Sequence, residues 1–182
     1  MVLETKILEA KIKEAIRDIH DYPKPGIVFK DIVPVLAQPA LIDEILEAQI
    51  RRWKSEPIDA VAAIEARGFI FGSLLAHAIR RPFIPVRKSG KLPYKTMSQE
   101  YSLEYGTAAI EMHVDAISPG MRVLVHDDLL ATGGTATATG HLIQKLGGEV
   151  AGFSFLINLG FLPGFKSLKD KFSVEPFYLV EY

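Results

Sequence analysis

No cysteine occurs in the 182 residues, which excludes disulfides, thiolate zinc sites and a cysteine nucleophile. No apolar run approaches the ~20 residues that a membrane-spanning helix needs. Charge of one sign is also lacking. Lys and Arg total 21 against 22 Asp and Glu, a formal net charge of −1. Without a broad basic field, nucleic acid is not an expected partner. The amino-terminal stretch "MVLETKILEAKIKEAIRDIH" is charged throughout, where a secretory leader would carry an apolar core. The expectation is a soluble cytoplasmic protein with no membrane partner.

What is present suits one globular domain: 48% of residues are hydrophobic and 24% charged. Helical spacing is expected over residues 4–20 and, most clearly, over 39–54, where Ile42, Ile45, Leu46, Ile50 and Trp53 share a face. Two prolines and a glycine in "DYPKPGIVFKDI" (21–32) break helix. Strands are expected at 58–64, 83–86, 107–114, 122–125 and 150–159, and helices at 68–79 and 134–146. Strand–helix–strand units with short connections imply an α/β fold, a mostly parallel twisted sheet with helices on both faces. Residues 88–106 are polar and poor in core candidates. Within them, 94–106 is expected to be a mobile lid, or else a surface hairpin.

The chemistry concentrates in "VLVHDDLLATGGTATATG" (123–140), where an apolar run meets Asp127 and Asp128 and then a Thr-Gly-Gly-Thr turn. In open α/β sheets ligands bind beyond the carboxyl ends of strands, where this turn falls. Gly133 and Gly134 allow a sharp turn and a close backbone approach. The free amides at the following helix start favour an anion, with hydroxyls from Thr132 and Thr135 beside them. Ionised carboxylates only accept hydrogen bonds, and vicinal sugar hydroxyls are good donors. A sugar phosphate satisfies both halves, with phosphate in the loop and ribose hydroxyls on the carboxylates. A plain glycine-rich helix entry with carboxylate caps is the competing reading. A triphosphate P-loop is not present, because no lysine follows these glycines, and G-x-G-x-x-G is absent from the segment. Arg67, in "IEARGFIFG", ends a second strand with a fork suited to a diphosphate. Arg87, Lys88 and Lys91 crowd the end of a third, either as a solvated face or as charge for a leaving diphosphate.

The segment "VLVHDDLLATGGT" resembles the 5-phosphoribosyl-1-diphosphate (PRPP) motif of type I phosphoribosyltransferases. With "PGIVFKDI", "ARGFIFG", "RKSGKLP" and "YSLEYG" in the same order and spacing, residues 21–160 are similar to the adenine phosphoribosyltransferase family. The resemblance implies one phosphoribosyltransferase domain, with an N-terminal helix and small hood over about 1–35. The implied reaction joins adenine to the phosphoribosyl group of PRPP, giving AMP and diphosphate in purine salvage. Ala131, Thr132, Gly133, Gly134 and Thr135 would hold the 5′-phosphate, and Asp127 and Asp128 the ribose. Arg67, Arg87, Lys88 and Lys91 would meet the diphosphate. Adenine would lie between Phe29 and Leu159, with Val28 reading its edge. Glu104 and Arg67 would act in catalysis. Mg²⁺ would arrive with PRPP rather than in a protein-built site, and the chain would form a homodimer. The alternatives are a transferase for xanthine or hypoxanthine/guanine, and a PRPP-binding regulator without catalysis. The sequence departs from the family's pattern at Lys30, His126, Asn158 and "GFLPGF" (160–165).

Overall fold

The computed structural model describes residues 2–102 and 106–182. The chain divides into two compact units, Met1–Ala48 and Gln49–Tyr182.

The first unit opens with helix α1 (Val2–Ala15), followed by an antiparallel pair, β1 (Arg17–His20) and β2 (Val28–Asp31), and a short helix α2 (Val33–Leu36). The helix expected to reach residue 20 stops at Ala15. Residues 17–20 take strand partners instead, Arg17 opposite Asp31 and His20 opposite Val28. A non-local ladder here outweighs local helical spacing. Helix α3 (Pro39–Trp53) starts in this unit, and Lys11 reaches its Glu44 at 2.8 Å. Ile12, Ile32, Val35 and Ile45 are buried.

Among the described residues, the second unit holds a seven-stranded sheet in the order β5-β6-β4-β3-β7-β8-β9. Its strands are β3 (Ala60–Ile64), β4 (Phe83–Lys88), β5 (Thr96–Ser102), β6 (Thr107–His113), β7 (Arg122–Leu130), β8 (Glu149–Asn158) and β9 (Val180–Glu181). Pairings from β4 through β3, β7 and β8 to β9 are parallel; β6 is antiparallel to β4 and β5. Helices α4 (Gly68–Ala78), α5 (Gly134–Lys145) and α6 (Gly164–Phe172) complete it. Every residue of β3 is buried, as expected of a parallel strand covered on both faces. Ala60, Ala62 and Ile64 pack in a cluster with Leu142 and Ile143 of α5. Val61, one residue out of phase, packs with Trp53, Leu75 and Ala76 on the other face.

Two expectations change in ways that matter for function. The strand expected over 122–125 runs on to Leu130, because β8 pairs with it as far as Leu130↔Asn158. Asp127 and Asp128 therefore stand inside a strand and not in the loop after it. The segment 94–106, expected as a lid or else a surface hairpin, is strand over Thr96–Ser102, paired antiparallel with β6. Its polar composition hides an alternation: Met97 and Tyr101, on one face, pack against the main core cluster. Also unforeseen are α2 and β9, too short to carry a clear period, and α6, although its Phe165, Leu168 and Phe172 share a helical face.

Candidate active site

The carboxyl ends of β3, β4 and β7 lie side by side in the sheet, and each ends in chemistry-bearing residues. At the end of β7 the two acids are set differently. Asp127 accepts the backbone N–H of Asp128 on Oδ1 at 2.9 Å. Asp128 is buried, and its Oδ2 lies 2.8 Å from Nη2 of Arg67, which follows the cis peptide Glu65–Ala66 at the start of α4. Burial and the neighbouring Asp128 charge push the Asp127 carboxyl well above its usual range. Asp128 is also raised by burial, with Arg67 opposing. This close approach depends on Gly68. A Cβ there would come within 2.8 Å of Asp127 Oδ1 and 3.1 Å of the His126 carbonyl oxygen.

After Leu130 the chain turns through Ala131–Gly133 into α5. Gly133 has φ +79°, a left-handed conformation that side chains resist. Its carbonyl accepts the N–H of Thr137 at 2.8 Å. The turn is braced by Gly164, whose N–H donates to the Ala131 carbonyl at 3.1 Å. A Cβ on Gly133 would meet the Gly164 Cα at 3.1 Å, and one on Gly164 would run into the Ala131 carbonyl. All five residues from Ala131 to Thr135 line a cleft of about 90 Å³ with Asp127. Asp127 and Thr135 also line an adjoining cleft of about 120 Å³ with Glu65, Lys88 and Tyr101. The structure thus brings the acidic pair, the glycine turn, Arg67 and Lys88 together.

Arg87 and Lys91 are present but engaged. Both bind Glu65: Lys91 Nζ at 2.5 Å from Oε1, and Arg87 Nε and Nη2 at 3.3 and 3.4 Å. The Lys88 N–H donates to the same carboxylate at 3.1 Å. Burial would raise the Glu65 pKa, but the bonds from Lys91, Arg87 and the Lys88 amide lower it to about 2. The turn carrying Lys91 is held by a second buried acid. Glu111 on β6 accepts the N–H groups of Lys91 and Leu92 at 2.9 Å each. Burial opposes ionisation of Glu111 too, but the backbone donors prevail and its pKa is lowered.

His126 is fully buried, and neither ring nitrogen has a hydrogen-bond partner among the described residues. Burial depresses its pKa to about 3, so the ring is neutral near pH 7. Asn158 is buried at the end of β8, its Nδ2 donating to Glu181 Oε2 at 2.9 Å.

A family model described as the phosphoribosyl transferase domain matches residues 34–174. An adenine phosphoribosyltransferase of Cytophaga hutchinsonii is 52% identical over 171 residues, 94% of this chain and 92% of the relative. The chain belongs to the adenine phosphoribosyltransferase family. Solved adenine phosphoribosyltransferases have the same fold. That of Rhodothermus marinus superimposes with a TM-score of 0.91 at 49% identity, covering 97% of this chain and 99% of the other. That of Saccharomyces cerevisiae, complexed with an imino-altritol bisphosphate and adenine, gives 0.87 at 33% identity, covering 96% and 99%.

The remaining residues expected from adenine phosphoribosyltransferases are placed as follows. Val28 and Phe29 lie in the first unit, on β2. Val28 is exposed, and Phe29 meets Tyr22 edge-to-face at 5.3 Å. Leu159 lies in the second unit, its N–H donating to the Leu130 carbonyl at 2.9 Å, so it sits beside the end of β7. Glu104 falls outside the described residues. No sequence motif assigns a part to Glu65, Glu111 or Gly164. Glu65 was visible in "IEARGF", and Gly164 in the "GFLPGF" departure, but neither fits a motif rule.

Proposed function

We propose that this protein is an adenine phosphoribosyltransferase that binds PRPP across the ends of β7, β3 and β4. The observation that carries this reading is the run of β7 from an acidic pair straight into a braced glycine turn. The turn offers backbone donors to the 5′-phosphate, and Asp127 and Asp128 accept the ribose hydroxyls. Arg67, tied to Asp128, couples the ribose end to the diphosphate end. Lys88, Arg87 and Lys91 supply positive charge where the leaving diphosphate gathers negative charge. Support for adenine as the base comes from the yeast relative, whose complex holds adenine with a sugar-like bisphosphate.

In the reaction, adenine N9 forms a bond to the anomeric carbon while the bond from that carbon to diphosphate breaks. The electron pair leaves with diphosphate, and the sugar passes through a cation-like state that the β7 carboxylates favour. The N9 proton goes to Glu104 in this reading, so Glu104→Gln lowers kcat far more than it weakens PRPP binding. Leu159, beside the end of β7, is the adenine contact that the second unit offers. No cluster of three or more His, Cys, Asp or Glu able to hold a metal occurs among the described residues. Mg²⁺ keeps several of its waters and favours substrate phosphates, so in this reading it would be carried on PRPP and diphosphate, where it would supply charge neutralisation.

A homodimer goes with this reading. Ile70, Leu74 and Phe83 are exposed on α4 and β4, and Phe83 meets Phe69 edge-to-face at 5.6 Å. Light scattering at micromolar concentration checks it. No helix among the described residues is long and apolar enough to cross a membrane, and we place the protein in the cytoplasm, with no nucleic acid partner.

The deciding experiment incubates purified protein with PRPP, Mg²⁺ and each purine base and follows the nucleotide formed. AMP from adenine is expected, with little product from hypoxanthine, guanine or xanthine. Another base as the best substrate overturns the reading.

A further inference from the structure

Three cations crowd the end of β4, and a ligand-free protein must hold them apart or balance them. Two are balanced by one group. Glu65 is the last residue before the Ala66–Arg67 turn, its side chain is only 10% exposed, and both its oxygens are engaged. It gathers Lys91 Nζ, the Arg87 guanidinium and the Lys88 N–H around a single carboxylate. The Arg87 fork also donates from Nη1 to the Lys91 carbonyl at 2.8 Å, which closes the turn on itself. Glu65 opens onto the cleft that Asp127, Thr135 and Lys88 line. A negative group therefore already occupies the cations that an incoming diphosphate would use.

We propose that Glu65 is the resident counter-ion of the diphosphate site: it holds Arg87 and Lys91 in place when the site is empty and yields them to diphosphate. The inference rests on the reading that these cations meet diphosphate. Binding is then an exchange of anions. Forming new bonds to phosphate oxygens requires breaking those to Glu65, and the freed carboxylate repels the newcomer across a short distance. Glu65 thus orders the site while limiting how tightly diphosphate is retained. A scaffold role alone predicts the opposite sign, because losing the scaffold disorders Arg87 and Lys91 and weakens every anion.

The sign is the test. Titration calorimetry with sodium diphosphate in the presence of Mg²⁺ compares wild type with E65Q, which keeps the shape but not the charge. Diphosphate is expected to bind about tenfold tighter to E65Q, the effect of removing one nearby like charge. AMP affinity changes less than diphosphate affinity, because Glu65 holds the diphosphate cations and only lines the cleft shared with Asp127 and Thr135. E65D, which restores the charge, returns diphosphate affinity toward wild type. Unchanged or weaker diphosphate binding by folded E65Q overturns the proposal. A wild-type protein that binds AMP but no diphosphate overturns the reading of the site and this inference with it. The exchange is also read in wild type, without any variant. With ¹³C-labelled glutamate carboxyls, the Glu65 signal moves further when diphosphate is added than when AMP is added. A Glu65 signal that ignores saturating diphosphate overturns the exchange.

Discussion

The Ala131–Thr135 turn and the Arg87–Lys91 turn both stand at carboxyl ends of parallel strands, and they are built to opposite plans. The first is main chain held by main chain: Gly133 at φ +79°, Gly164 braced against it, and the Ala131 carbonyl taken by the Gly164 N–H. The second is charge held by charge, with two cations on Glu65 and the turn amides on Glu111. A main-chain site acquires its shape when the protein folds and presents it whether or not a ligand is near. A side-chain site of this kind has a shape only as good as its internal partners. The contrast predicts that damage to the first turn acts through sterics and damage to the second through electrostatics.

The largest effect is expected at Gly133→Val. The new side chain must leave the left-handed region and displaces the Gly164 backbone. Loss of AMP affinity on the order of 10²-fold is expected by calorimetry, with diphosphate binding spared. An AMP affinity within about twofold of wild type would reduce the turn to a helix entry.

Next is the joint change of Asp127 and Asp128 to Asn. Asn still accepts hydrogen bonds but brings no charge to oppose a ribosyl cation. A fall in kcat/KM on the order of 10²-fold is expected, by analogy with removal of one stabilising group. Wild-type turnover by the folded double variant would remove the pair from the chemistry.

Lys91→Met sharpens the comparison from the other side. Diphosphate affinity should drop roughly tenfold, the scale of one exposed charge-assisted contact. AMP binding should not change, because the phosphate turn owes nothing to Lys91. Parallel losses of both ligands would show that the two turns are one structural unit.

These expectations vary in how far the sequence discloses their basis. The β7 acids and the glycine turn are contiguous, so an apolar run, two carboxylates and two glycines are enough to find them. The extent of β7 is not local, since it depends on β8 pairing out to Asn158. The Glu65 clamp is harder still. It exists because β3 and β4 pair in parallel with Ile64 opposite Val86, which sets the next residues of each strand side by side. Register is a property of the folded sheet, and nothing in "IEARGF" or "VRKSGK" states it. Gly164 reaches the turn from the start of α6, and although that helix has an apolar face, nothing local in its sequence states that its first residue meets the Ala131 carbonyl. Contiguous chemistry was legible; contacts bridging separate segments were not.

The smallest effect is one of protons. Asp127 is raised by burial and by Asp128, so part of the pair's charge is absent near the raised pKa. Ribose hydroxyls donate to the ionised form and favour it. PRPP binding should therefore release a fraction of a proton, and affinity should improve as pH rises until the pair is fully ionised. Calorimetry in two buffers of different ionisation enthalpy measures the fraction. Equal apparent enthalpies in both buffers would mean that the pair is already ionised before ligand arrives.

Gly68 and Gly72 stand one helical turn apart on the inner side of α4. A Cβ at 72 would come within 2.5 Å of the Ala63 Cβ, and one at 68 within 2.8 Å of Asp127 Oδ1. The two hydrogens act as a spacing gauge, setting how near the helix rides to the sheet and hence how near Arg67 stands to Asp128. For mutational tolerance, these positions should score as intolerant as the acids themselves in a growth-based scan of every substitution, although their side chains offer a ligand no functional group. Such a scan would trace the outline of the pocket one layer deeper than its chemistry.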